Sequence, residues 1–108
     1  MITFDEFKKI EIKIGTILTA EKLPEVDRLI KLTIDLGEET PRTILSGIAE
    51  HYPDPSILVG KQVPVLVNLG PRTIRGYESQ GMVLYAVSSE SIITVEPEHK
   101  VPPGTPMQ

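Results

Sequence analysis

Residues 63–86 read VPVLVNLGPRTIRGYESQGMVLYA. Two apolar runs, Val63–Leu69 and Met82–Val87, flank a polar connection that carries Arg72, Arg75 and Ser79 among three glycines, Gly70, Gly76 and Gly81. In the first run Val63, Val65, Val67 and Leu69 alternate with Pro64, Leu66 and Asn68, the period of a strand with one face inward. The second run is apolar on both faces and ends in strand formers. The stretch predicts two buried strands that display a basic, glycine-jointed loop. Loops carried by a rigid sheet are where binding residues concentrate.

The same period recurs upstream. Ile10, Ile12 and Ile14 alternate with Glu11 and Lys13, which places Lys13 on the solvent side, and Gly15 then interrupts, the mark of a bulge or sharp bend. Leu29–Leu36 sets Ile30, Leu32, Ile34 and Leu36 on one face against Lys31, Thr33 and Asp35 on the other. Gly37–Thr40 turns the chain into a third strand, Arg42–Ser46. Ile48–Gly60 breaks the pattern with loop chemistry at Tyr52-Pro53-Asp54-Pro55-Ser56, flanked by short helical turns. Ile92–Val95 reads as a last short strand, and Pro102, Pro103 and Pro106 predict an irregular tail. At the other end Thr3 and Glu6 fit a capping box that starts a short helix over Phe4–Lys9. Phe4 and Phe7, the only phenylalanines, lie on one side of that helix, either as a lid on the core or as part of a subunit interface.

Residues 1–108 therefore read as a single all-β domain, large enough to bury roughly two-thirds of the surface its unfolded chain exposes. The element order is that of the OB-fold: a five-stranded barrel with a short N-terminal helix and a small helical insert between strands 3 and 4. A small Greek-key or SH3-like barrel is the competing architecture.

Composition narrows the chemistry. There is no cysteine, so disulfides and thiolate metal sites are excluded. The start lacks a signal-peptide pattern and no apolar run approaches membrane-spanning length, which leads us to expect a cytoplasmic protein with no membrane association. Enzyme readings fail in turn. Ser46, His51 and Asp54 supply triad residue types without a nucleophile elbow. His51 and His99 have no partners at ligand spacing, and Gly60-Lys61 lacks the glycine spacing of a phosphate loop. The expectation is a non-catalytic protein with no metal and no cofactor.

Binding fares better, although the net charge is −4. Ten of the eleven Lys and Arg residues lie between Lys8 and Arg75, and screening confines electrostatics to about 8 Å, so a local basic patch on an acidic chain still meets phosphates. Lys13, Lys31 and Asn68 come out on outward strand faces, and Arg72 and Arg75 follow in the loop. Arginine forks onto phosphate, lysine adds a point charge, and Asn or Ser bonds a base edge or a 2′-hydroxyl. Tyr77 offers a stacking surface, whereas Tyr85 reads equally well as packed. Aromatic stacking platforms are otherwise scarce.

Asn68-Leu69-Gly70-Pro71-Arg72-Thr73-Ile74-Arg75-Gly76, followed by Ser79-Gln80-Gly81-Met82, resembles the signature of the tRNA-binding domain family. That family includes the methionyl-tRNA synthetase C-terminal domain or β-subunit, the endothelial monocyte-activating polypeptide II module and stand-alone structure-specific tRNA-binding proteins. Phe7–Gly15, Lys31–Gly37 and Ser46–Ile48 resemble its other landmarks, in the same order. The resemblance implies an OB-fold homodimer that binds tRNA by shape and assists methionyl-tRNA synthetase. It carries tRNA-binding roles onto Lys31, Asn68, Arg72, Ser79 and Met82, to which the strand and loop reading adds Lys13 and Arg75. Phe4 and Phe7 are the expected dimer contacts. Gly70 and Thr73 stand where many relatives carry a basic residue, which thins the charge. A bacterial export-related protein of chaperone type resembles the same barrel and is the alternative.

Overall fold

The computed structural model describes all residues from Met1 to Gln108. In chain order the elements are α1 (Phe4–Phe7), β1 (Ile12–Leu23), β2 (Val26–Asp35), β3 (Arg42–Ser46), a 3-10 turn (Pro55–Leu58), β4 (Gln62–Leu66), β5 (Arg72–Ile74), β6 (Tyr77–Ser79), β7 (Met82–Val83), β8 (Tyr85–Val87), β9 (Ile92–Thr94) and β10 (Thr105–Met107). The protein is all-β, and no helix is long and apolar enough to cross a membrane. The main sheet is antiparallel in the order β3-β2-β1-β4-β7, with β10 added to the start of β1. Ile17, Ile30, Leu32, Ile34, Ile44, Leu58, Val63 and Val65 are fully buried between its faces. Each such side chain stabilises the fold by roughly 1.5–3 kcal/mol relative to exposure.

That strand order is consistent with an OB-fold, but the expected closed five-stranded barrel does not form by backbone pairing. No ladder joins β3 to β7. Two side-chain bonds and one backbone bond bridge the gap instead. Thr43 N–H donates to Gln80 Oε1 at 2.9 Å, Gln80 N–H donates to Thr43 O at 2.9 Å, and Leu45 N–H donates to Ser79 Oγ at 3.0 Å. The helical insert reduces to the single 3-10 turn, where Pro55 opens the turn, the Asp54 carboxylate accepts from Ser56 N–H at 3.1 Å and Leu58 is buried. The expected last strand, β9, pairs with β8 in a separate hairpin. Two tyrosines pin that hairpin: Tyr52 donates to Ile92 O at 3.0 Å and Tyr85 to Ser46 Oγ at 2.8 Å. Burial pushes the Tyr85 phenol up to about 12, so it stays a donor throughout the physiological range.

Three strand-level expectations change. The register shifts in β1 lie between Ile17 and Thr19 and between Lys22 and Leu23, so the bulge nearest the start falls at the exposed Leu18 and not at Gly15. Gly15 sits in regular ladder opposite Val63, and its role is close approach: a Cβ there runs into Ile34 Cγ2 and comes within 2.9 Å of Leu36 Cδ2. Lys13 pairs with Val65 and shares the inner face with Gly15 and Ile17, so it is half-buried at the end of the sheet and not on the solvent side. The isoleucine pattern misleads because Ile14 is buried on the opposite face, where the C-terminal segment crosses and Gly104 N–H donates to Ile14 O at 2.7 Å. The tail is therefore not wholly irregular. Pro106 fits in β10 because it lies on an outer edge where a missing donor is tolerated.

The capping box of α1 forms, with Thr3 N–H donating to Glu6 Oε1 at 3.0 Å and Glu6 N–H to Thr3 Oγ1 at 3.2 Å. The helix ends after Phe7, short of the expected Lys9.

Gly15→Ala should destabilise the protein by about 1–3 kcal/mol, the usual range for overpacking a filled core. A urea midpoint unchanged from that of the parent chain would show that β1 and β2 can separate freely at this position.

Candidate nucleic-acid interface

The polar, glycine-jointed connection between Gly70 and Gly81 is itself a small hairpin. β5 and β6 pair Arg72 with Ser79, Thr73 with Glu78 and Ile74 with Tyr77. Its two-residue turn is Arg75-Gly76, with φ of +52° and +86°, the paired positive values of a type I′ turn. Gly76 adopts this freely, whereas an arginine in the left-handed region costs roughly 1–2 kcal/mol. No other non-glycine residue in the chain has a positive φ of this kind.

The hairpin does not hang in solvent. Ile74 and Tyr77 pack on a second, smaller cluster of Leu23, Leu29 and Leu45, which come from β1, β2 and β3. Leu45 pairs with Lys31, so these leucines lie on the face of the sheet opposite the main core, the face Lys31 occupies. Register extends that face into a polar floor: Glu21 opposes Lys31, Thr19 opposes Thr33, and Thr33 opposes Thr43. Arg72 shares its side of the hairpin with Ile74 and Tyr77, the side that packs on the sheet, while staying exposed. Thr33 shares the outward face of Lys31 by the same alternation but is not among the expected site residues, and register brings Thr19 and Thr43 beside it.

The charges on this face differ in availability. Lys31 Nζ lies 3.8 Å from Glu21 Oε1. Neither Arg72 nor Arg75 takes part in an ion pair. Tyr77 is half-buried on the leucine cluster, which removes most of its ring face from use as a stacking platform.

Other expected site residues serve the backbone. The Asn68 amide accepts from Glu11 N–H at 2.9 Å and donates to Lys9 O at 2.5 Å, tying the start of the arm to the N-terminal segment. Ser79 is 2 % exposed; its hydroxyl accepts from Leu45 N–H and donates to Gly81 O at 3.1 Å. In this conformation Ser79 is out of reach of a ligand, because it stands in the seam. Met82 is partly exposed in β7 opposite Leu66. Lys13 lies apart from the polar floor, in a groove of about 440 Å³ that it lines with Phe4, Phe7, Ile10, Ile12 and Met107. Phe4 and Phe7 are 73 % and 43 % exposed, so they form no lid on the core.

Arg42 was also missed. It has the parity of the buried Ile44 and so points inward from the end of β3, a charge at a core-facing position. Its Nε and Nη2 donate to Glu38 Oε1 and Oε2, both at 2.9 Å. Its Nη1 donates to Val67 O at 2.7 Å and to Gln80 O at 3.1 Å. These bonds hold the Glu38 carboxyl below its ordinary range against the opposing effect of burial, and the Arg42 and Lys13 charges add to the lowering.

The profile of the family described as "Putative tRNA binding domain" matches residues 12–106. This chain belongs to that tRNA-binding domain family. It is 47 % identical over 106 residues to a methionine–tRNA ligase of Methanococcoides burtonii, a match that covers 97 % of this chain and 15 % of the ligase. Among solved structures, a MetRS-related protein from Pyrococcus horikoshii superposes with a TM-score of 0.91 at 38 % identity, covering 100 % of this chain and 98 % of the other. The chaperone CsaA of Bacillus anthracis superposes at 0.87 with 30 % identity, covering 100 % and 99 %. The chain is thus a tRNA-binding domain related to a small part of methionine–tRNA ligases and to chains of its own length.

The Glu38–Arg42 pair gives a pH test. Because the folded-state pKa of Glu38 is lowered, its contribution to stability is present above the ordinary glutamate range and is lost as pH falls through the folded value. Glu38→Ala should therefore be less stable than the parent at pH 7, and the gap in melting midpoint should close below about pH 4. A gap that persisted unchanged at pH 3 would mean that Glu38 acts through packing and not charge.

Proposed function

We propose that this chain binds tRNA by its shape and backbone, with little reading of base sequence, on the face formed by β1–β3 and the β5–β6 hairpin. The observation that carries the reading is the hairpin itself: it carries two arginines free of ion pairs and packs, through Ile74 and Tyr77, on the leucine cluster of the sheet face that also bears Lys31 and Thr33. Arg72 and Arg75 take phosphates, Lys31 adds charge, and the floor hydroxyls suit 2′-hydroxyl contacts. Met82 adds apolar contact at the edge. Asn68 and Ser79 act by holding the two ends of the arm, and Lys13 contributes charge from the groove side. The sheet then works as an OB-type barrel whose seam is closed by side chains.

Kinship with methionine–tRNA ligases supports a role as an accessory domain or β-subunit that raises the synthetase's hold on tRNA in the cytoplasm, without catalysis of its own. A protomer that contacts three or four phosphates gives a salt slope of about −3, in the range of weak, structure-tolerant binding. Tethering two such sites raises effective affinity by about 10²–10⁴. The exposed Phe4, Phe7, Ile10 and Met107 beside the groove suit a homodimer contact that would supply that second site. A second reading, a peptide-binding chaperone, draws on the likeness to CsaA and on the same apolar groove.

Filter binding of mixed tRNA at two salt concentrations tests the site. Arg72→Ala should weaken binding and flatten the slope of log K against log salt by about 1. Unchanged binding would remove Arg72 from the site, and competition by unfolded peptide in preference to tRNA would favour the chaperone reading.

Arg75→Gly separates strain from function. It should raise stability by about 1 kcal/mol through relief of the left-handed arginine while weakening tRNA binding. A variant that is both more stable and equally tight would show that the arginine is not used.

Sedimentation at micromolar concentration should show a dimer that Phe4→Glu with Phe7→Glu converts to monomer. A parent chain that sediments only as monomer would sink the interface.

A further inference from the structure

The contacts of Arg42 point to a role that neither its charge nor its position in β3 discloses. We infer that Arg42, oriented by Glu38, is a positioning residue that holds the two ends of the β5–β6 arm to β3 and thereby sets RNA affinity without touching RNA. The inference rests on the proposed binding face, and it adds a residue that acts on that face from behind.

Geometry supports the assignment. The Val67 and Gln80 carbonyls bracket the whole segment Asn68–Ser79, and one nitrogen, Arg42 Nη1, accepts the task of bonding both. A single rigid group thus spans the neck from which the arm emerges. The other side of the fork is taken by the Glu38 carboxylate, with Nε and Nη2 each at 2.9 Å. Four of the five guanidinium N–H donors are then in use, and the side chain is only 24 % exposed. Little remains to grip a phosphate. Arg72 is the opposite case, exposed and without an ion pair.

The other bonds at the neck do not duplicate this one. Asn68 ties the arm's start to the N-terminal segment, and Ser79 and Gln80 tie its end to the edge of β3. Strand pairs join the arm's two sides outside and inside the neck, Leu66 with Met82 and Arg72 with Ser79, and Arg42 is the side chain that bonds both Val67 O and Gln80 O between them. Lysine cannot replace it, because an ammonium lacks the planar fork needed to meet a carboxylate and two carbonyls at once.

Charge arithmetic makes the test sharp. Glu38 is a partly exposed acidic residue, so removing it should strengthen binding to a polyanion if charge alone mattered. If Glu38 acts by orienting Arg42, its removal should weaken binding. The experiment measures parent, Glu38→Ala, Arg42→Lys and Arg72→Ala chains for tRNA affinity across a salt series, and for tryptic cleavage after Arg72 and Arg75 without RNA.

We expect Glu38→Ala and Arg42→Lys to lose about five- to tenfold in affinity, the lower end of typical coupling between sites, with the salt slope kept at the parent value. Arg72→Ala should lower the slope. Cleavage after Arg72 and Arg75 should speed up several-fold in Glu38→Ala at a temperature well below that variant's own melting midpoint, where global unfolding does not contribute. Tighter binding by Glu38→Ala, or a slope flattened in Arg42→Lys as in Arg72→Ala, would overturn the inference. Unchanged cleavage would overturn it as well. If the parent fails to bind tRNA while cleavage still accelerates, the clamp stands and the proposed function falls.

Discussion

The free edge of β3 governs much of this molecule. An open edge presents donors and acceptors that must be satisfied, and a buried one left unpaired costs about 1–3 kcal/mol. Here no strand pairs with that edge in a ladder. The Ser79 hydroxyl and the Gln80 side chain and backbone meet Leu45 N–H, Thr43 N–H and Thr43 O. Because Ser79 ends β6 and Gln80 follows it, the bonds that satisfy the edge also fix the far end of the hairpin arm. Sheet integrity and arm placement are one constraint. The leucine cluster under Ile74 and Tyr77 then sets the arm's tilt, since an apolar pair can bury itself on Leu23, Leu29 and Leu45 only in a narrow range of positions.

An acidic chain that meets a polyanion must do so locally. Cations in the protein differ in how much of their charge is already used. Lys31 shares its charge with Glu21, Arg28 lies 3.8 Å from Glu50, and Arg42 is committed to Glu38 and two carbonyls. Arg72 and Arg75 are not so committed. Counting cations in the sequence therefore overstates the charge of the face, and the Gly70 and Thr73 positions thin it further. On the proposed reading, affinity is limited by two arginines and one shared lysine, and placement matters more than number.

How much of this could be read beforehand depends on which face of each strand is covered. β2 was legible because from Ile30 to Asp35 its core side and its polar side alternate cleanly, Ile30, Leu32 and Ile34 against Lys31, Thr33 and Asp35. β1 was not, because Ile14 is buried by the C-terminal segment while Lys13 and Gly15 face inward, so the apolar residues mark the wrong face. The hairpin within the loop was hidden by its turn: Arg75-Gly76 lacks the Asn-Gly or Asp-Gly that announces a type I′ turn. Arg72 and Lys31 were found from residue type and alternation. Asn68 and Ser79 were found as notable residues, but their bonds to distant backbone groups depend on contacts 57 and 34 positions apart in the chain, which no local pattern encodes. Arg42 left one trace, an inward parity in a short strand.

An arm anchored on leucines and a half-buried tyrosine fit the proposed preference for shape over sequence. Base reading on a single strand needs exposed aromatic rings and some freedom to fit each base. Here Tyr77 is turned down onto leucines, and Tyr52 and Tyr85 are spent pinning the β8–β9 hairpin. What the face leaves available is guanidinium, ammonium and hydroxyl groups at fixed spacing. Those groups complement phosphates and 2′-hydroxyls, which every folded RNA presents in positions set by its backbone path and not by its bases. On the proposed reading, spacing is the source of discrimination: an RNA whose backbone matches the distance from arm to floor engages both, and one that does not engages only one. The strained turn at Arg75 fits that logic, since it holds a charge at the arm's tip at a conformational cost that a mobile loop would not incur.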